Sequence, residues 1–161
     1  MRVQTGLLLI AMALVAGCGR DANTKPAVGG DPPLPAPPPV VPGEKPKPLY
    51  DLPEPTVGTT VNGVDVSKLP AARLAEFGRA AAEQRPAEAM VYYFWSAKTR
   101  PGDLYNLACY TALAGKPEDA LYWLQKAGLA AGVDGDWAAR DPDLRSVRAD
   151  RRWPSLLTWL R

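Results

Sequence analysis

Cys18 and Cys109 are the two thiols of this 161-residue chain, and they sit in opposite settings. Cys18 follows the small residues Val15-Ala16-Gly17 at the end of an apolar run that begins at Leu7. Cys109 lies beside Leu107 and Ala108 in a helical pattern, with no neighbouring cation to lower its pKa, and is expected to be buried and inert. Asp134, Asp136, Asp141 and Asp143 lack the regular Asp-x-Asp-x-Asp-Gly spacing and distal glutamate of a calcium loop, so they are expected to be helix caps and solvated loop residues. Arg140, Arg145, Arg148, Arg151 and Arg152 alternate with aspartates, the pattern of a salt-bridged surface rather than an anion site. There is no histidine. That removes the commonest general base and the commonest neutral metal ligand. With no Gly-rich phosphate loop and no spaced carboxylate pair, the sequence offers no catalytic residue, no metal site and no cofactor. An enzyme is not expected.

Val91-Tyr92-Tyr93-Phe94-Trp95 offers binding chemistry instead. Five consecutive bulky residues cover every face of a helix, so they cannot all point into one interface. Tyr92, Phe94 and Trp95 are therefore candidate partner-binding residues. The competing expectation is that a hairpin or neighbouring helices cover them.

The element around Cys18 is a leader. Arg2, the apolar run to Ala16 and the small residues before the cysteine have the layout of a secretory signal. The run is too short to span a ~30 Å hydrocarbon core. Val15-Ala16-Gly17-Cys18 also resembles the lipobox of bacterial lipoproteins. The resemblance implies that residues 1–17 are removed and that Cys18 becomes an acylated N-terminus. Each buried CH₂ adds ~0.8 kcal/mol, and two or more chains hold firmly where one does not. Gly19 stands where the family carries aspartate for inner-membrane retention, which implies the outer membrane, facing the periplasm. Cys109 would then have no partner for an internal disulfide. The formal charge of +2 falls by one when Arg2 leaves, too small a field to favour nucleic acid.

Residues 18–57 read as a linker. Twelve of the eighteen prolines fall between Pro26 and Pro55. Proline fixes φ and biases the preceding residue to extended conformations, so a disordered, polyproline-II-rich spacer is expected. At ~3.1 Å per residue it reaches on the order of 120 Å. Residues 58–66 carry a hairpin signal, with Asn62-Gly63 between Thr59-Thr60-Val61 and Val64-Asp65-Val66. An irregular lead-in to the first helix is the alternative. From residue 67 to 161 the pattern is all-α. Helices are expected over 68–84 with Ser67 as N-cap, over 86–99, over 104–114 capped by Asp103, and over 117–127 closed by Gly128. A Gly- and Asp-rich loop and two short segments, opened near Asp141-Pro142 and Asp150, follow.

The last two long helices carry a repeat pattern. Leu104, Leu107-Ala108, Thr111, Gly115, Ala120, Leu124 and Ala127 fall at the spacing of the tetratricopeptide repeat, with Leu104 for its Trp and Thr111 for its Tyr. Arg85-Pro86-Ala87-Glu88-Ala89 parallels Lys116-Pro117-Glu118-Asp119-Ala120 and marks a degenerate upstream copy. Asp141-Pro142-Asp143-Leu144 through Leu157 resembles the segment that closes short bacterial tetratricopeptide domains. The resemblance implies antiparallel helix hairpins, about two repeats, with Leu144, Val147, Trp153, Leu156 and Leu157 forming a cap. It also implies a groove lined by the first helices of the repeats, where Asn106, Tyr110 and Arg79 would meet a partner. The expected function is a membrane-anchored periplasmic lipoprotein whose helical domain binds proteins in envelope assembly. The alternative is a structural spacer or self-associating protein, with the aromatic run as the contact between copies.

Overall fold

The computed structural model describes residues 48–161. The expected leader over 1–17, the lipidation expected at Cys18 and the expected linker up to residue 47 lie outside the described residues.

Asn62 and Gly63 take φ values of 50° and 79°. Both are left-handed, as a two-residue type I′ turn requires. The turn joins β1 (Thr60–Val61) to β2 (Val64–Asp65), antiparallel, with Thr60 opposite Asp65 and Val61 opposite Val64. An isolated hairpin is marginal in water. This one docks: Val61 and Val66 are buried with Leu74, and Leu69, Val91, Tyr92 and Trp95 pack around them.

The rest is helical: α1 (Ala71–Ala81), α2 (Pro86–Ala97), α3 (Leu104–Leu113), α4 (Pro117–Ala131), α5 (Gly135–Arg140) and α6 (Trp153–Leu160), with single 3₁₀ turns at Pro101–Asp103, Pro142–Leu144 and Val147–Ala149. Proline at the first position of α2 and α4 costs no hydrogen bond, because that N–H has no partner in a helix. Ser96 Oγ donates to the Ala71 carbonyl at 3.1 Å, while Phe77 meets Tyr92 at 5.6 Å, so α1 and α2 run antiparallel. The α2–α3 pair does too, with Ser96 beside Asp103 and Tyr93 stacked on Tyr110. Gly115, at φ 80°, turns the chain from α3 directly into α4, and the Lys116 N–H donates to the Thr111 carbonyl across that turn.

Burial repeats along these pairs. Leu74, Ala75 and Gly78, then Ala89, Met90 and Tyr93, are buried in the first pair. Leu107, Ala108 and Thr111, then Ala120, Leu121 and Leu124, are buried in the second. The stretch from Gly78 to Ala89 is longer than that from Thr111 to Ala120, which is where the upstream copy departs. The C-terminal segment covers the second pair, with Leu144, Val147, Trp153 and Leu156 buried and Leu157 half-buried.

Several expectations are corrected. Gly128 does not close α4, which continues to Ala131. A Cβ at Gly128 would lie 2.7 Å from both the Trp159 and Leu160 side chains, so this glycine lets α6 approach. Ser67 does not cap α1; its N–H and hydroxyl both donate to Asp65, and α1 begins after Pro70. The Asp103 carboxylate makes no cap bond and instead accepts from Ser96 Oγ. The loop after α4 contains α5, because Asp134 accepts from the N–H groups of Asp136 and Trp137. Finally, residues 48–57 are not free spacer. Leu49, Tyr50, Leu52 and Val57 pack on the helical core. Apolar side chains interleaved with prolines give that stretch something to bury and little conformational entropy to lose.

Candidate functional site

Two surfaces gather chemistry. The first is a groove between α2 and α4, beneath the strap formed by residues 48–57. Its recess, about 230 Å³, is lined by Phe94, Leu104, Leu107 and Trp123, with Lys98 and Lys126 at its edge. Each lysine is held against aromatic faces. Lys98 Nζ lies 4.4 Å from the Phe94 ring centroid, and Lys126 Nζ lies 5.3 and 5.4 Å from those of Tyr122 and Trp123. Trp123 meets Phe94 and Tyr122 edge-on at 5.6 and 4.7 Å. Among the described residues, the buried Trp123 Nε1 has no acceptor.

The strap crosses this groove outside any helix or strand. At one end Trp95 Nε1 donates to the Gly58 carbonyl at 2.9 Å. In the middle, Glu54 spans the two lysines, at 3.4 Å from Lys98 Nζ and 3.2 Å from Lys126 Nζ, and accepts from Tyr122 Oη at 3.1 Å. The Lys126 hydrogen bond, foremost, holds the Glu54 carboxyl below the usual glutamate range. Burial works against the Lys126 charge, but hydrogen bonds to Tyr122 and Glu54 outweigh it and raise the lysine. At the far end, Gln125, only 3% exposed, holds both main-chain groups of Tyr50. The Tyr50 N–H donates to Oε1 at 2.7 Å, and Nε2 donates to the Tyr50 carbonyl at 2.8 Å. Tyr50 Oη donates to the Arg152 carbonyl.

The second surface involves α1, α2 and α3. Tyr110 stacks on Tyr93 with centroids 5.1 Å apart. Burial raises the Tyr93 hydroxyl, while the nearby Arg79 charge pulls the other way. Asn106 is half-buried on the same helix as Tyr110. The structure thus brings Tyr110 and Arg79 to a common neighbour, Tyr93.

The expected exposed aromatic patch is not present. Phe94 is 7% exposed, beneath Lys98 and against Trp123 and Trp95. Tyr92 and Trp95 are half-buried against the hairpin cluster. Hairpin and strap together cover the run, so it is core packing; Phe94 alone reaches the groove. The groove residues that sequence reasoning missed are Glu54, Lys98, Tyr122, Trp123, Gln125 and Lys126. One signal was available, since Phe94/Lys98 and Tyr122/Lys126 share an aromatic-to-lysine spacing of one helical turn.

Cys109, Asp141 and Asp143 bring a thiol sulfur and two carboxylates within 4.8 Å of one another. Their bonding is that of a packed hydrogen-bond hub. Tyr105 Oη donates to Asp141 Oδ2 at 2.7 Å and Cys109 Sγ to the same oxygen at 3.7 Å, while the Asp143 N–H donates to Oδ1. Arg148 Nη2 donates to the Asp141 carbonyl. Burial, with Asp141 beside it, pushes the Cys109 thiol far up. Asp141 thereby ties the C-terminal cap to α3. Among the described residues, no helix is long and apolar enough to cross a membrane. Comparison with protein-family models, curated proteins and solved structures finds no match to this chain.

Proposed function

We propose that this chain is a lipid-anchored envelope protein whose helical domain is a tetratricopeptide-like, non-catalytic protein-binding module. The observation that carries the module reading is the repeated burial register: Leu74, Ala75 and Gly78 with Ala89, then Leu107, Ala108 and Thr111 with Ala120. Small residues at these crossings let successive helices approach closely, which is how such repeats stack. The anchor rests on Val15-Ala16-Gly17-Cys18 and the charged, apolar leader before it. On this reading the proline tract is a spacer from an outer membrane, and Asn106, Tyr110 and Arg79 contribute to the partner face.

Two measurements test it. Cells expressing the chain are fed an alkyne-tagged palmitate. Label is expected on the parent and none on Cys18→Ser; equal label on both removes the anchor. A photo-crosslinking residue placed at Asn106 is expected to yield a discrete adduct with another protein. Adducts with a second copy alone would replace the module by self-association.

A further inference from the structure

The strap is a segment without helix or strand lying on its own domain, and the groove contacts it as it would a ligand. Gln125 reads the N–H and C=O of one backbone residue, a recognition indifferent to side-chain identity. Buried amides need partners for both ends, and here both come from Tyr50. Lys98 and Lys126 stand against aromatic faces with a single carboxylate, Glu54, between them. Beside the two lysines opens the apolar recess lined by Phe94 and Trp123, to which the strap contributes no lining residue. Helices α2 and α4 thus present a paired backbone reader and a carboxylate site, with an apolar pocket adjoining the lysines.

Beyond the packing of Leu49, Tyr50, Leu52 and Val57 on the core, the polar contacts that hold the strap are modest. Both Glu54 ion pairs join side chains that are about two-fifths to one-half exposed, a class that contributes little. The Tyr50 pairing is local, and the strap belongs to no sheet or helix. Its removal leaves Gln125 and both lysines without these partners.

We propose that the α2–α4 groove is a peptide-binding site whose ligand is an extended, acidic and apolar segment of a partner protein, which replaces the chain's own 48–57 strap. The strap displays the ligand chemistry: Leu49-Tyr50-Asp51-Leu52-Pro53-Glu54, with main-chain groups for Gln125 and a carboxylate four residues on for the lysines. This surface is separate from the Asn106 and Tyr110 face. Its failure leaves crosslinking from Asn106 untouched, and the loss of that crosslink leaves the groove untouched.

The probe is a fluorescein-labelled peptide of residues 48–57, added to the full chain and followed by anisotropy. In the parent the strap competes at an effective concentration on the order of mM, so binding is weak. Glu54→Lys with Tyr50→Ala places a third cation between the lysines and removes the Tyr50 side-chain contacts, without altering the groove. That variant is expected to bind the peptide about tenfold more tightly, as the competent fraction rises towards one. Adding Lys126→Glu is expected to abolish the gain, and so is glutamine for glutamate in the peptide. No gain in a released variant that keeps the parent helical circular dichroism overturns the proposal. So does peptide uptake only within a strap-exchanged dimer, seen by light scattering. Hydrogen exchange on the parent provides a check that needs no variant. The Tyr50 N–H must exchange faster than the α3 amides; equal protection means the strap leaves only on global unfolding, and the site is never free.

Discussion

Gly78→Ala tests whether the α1–α2 crossing is set by a missing side chain. A Cβ at position 78 would lie 2.6 Å from Tyr93 Cε2 and 2.8 Å from Cδ2. Ordinary carbon contacts fall at about 3.5–4.0 Å, so the ring must retreat by about 1 Å. Tyr93 is 3% exposed and stacked on Tyr110, so the ring cannot retreat without disturbing that stack. Overpacking of this kind costs about 1–3 kcal/mol. Alanine returns about 1 kcal/mol through helix propensity. The net expectation is a loss of about 1 kcal/mol, which for a domain near 100 residues lowers Tm by about 4–8 °C. Thermal melts and urea titrations followed by circular dichroism read this directly, with an unchanged m-value expected. Combining Gly78→Ala with Tyr93→Leu, a smaller partner, should cost less than the sum of the two single changes. A Gly78→Ala protein as stable as the parent, or more so, would refute the idea that glycine at this crossing sets the helix spacing.

Other consequences are open to similar measurement. Asp141→Ala should cost about 1–3 kcal/mol in urea titrations, because Tyr105 Oη and the Cys109 thiol lose a buried acceptor; an unchanged midpoint would remove Asp141 as the hub. Cys109 should resist a maleimide at pH 8 and react only in denaturant, since burial keeps it protonated; rapid labelling of the native protein contradicts this. The Glu54 carboxyl is depressed by Lys126, so its contribution is fully present above the ordinary glutamate pKa and is lost as pH falls through the lower folded value. Protection of the strap amides should therefore persist at the ordinary glutamate pKa of about 4.3 and fade only as pH falls below it, while the helical signal persists. Strap protection that stays constant as pH falls below that value would contradict the latch.

Much of the fold was legible. Asn62-Gly63 announces its turn because few other pairs tolerate two left-handed residues, and the prolines that open α2 and α4 mark helix starts that tertiary context does not move. What was illegible depended on contacts distant in sequence. Gly128 has the local form of a helix stop, and only α6 arriving from thirty residues on makes it a crossing point. Asp103 has the local form of a cap, but Ser96, across a turn, claims its carboxylate. The aromatic run suggested exposure because four helices alone leave part of it uncovered. Part of the missing cover is the hairpin, which the sequence did offer; the rest is a segment whose prolines pointed to a free linker, where Leu49, Tyr50, Leu52 and Val57 supply the burial. The groove was obscured for the same reason, since its polar residues Gln125, Lys98 and Lys126 find their partners in the strap.

The direction in which the strap runs has a mechanical side. Tyr50, nearest the proline tract, is fixed to Gln125 and Arg152; Glu54 follows on the lysines, and Gly58 comes last on Trp95. A pull at residue 48 directed away from the groove meets these attachments one after another, so they peel in sequence rather than sharing the load. Peeling needs less force than shearing the same contacts at once. Tension would unzip the strap up to the hairpin before it reached α1, and the helices would be spared while the groove was uncovered.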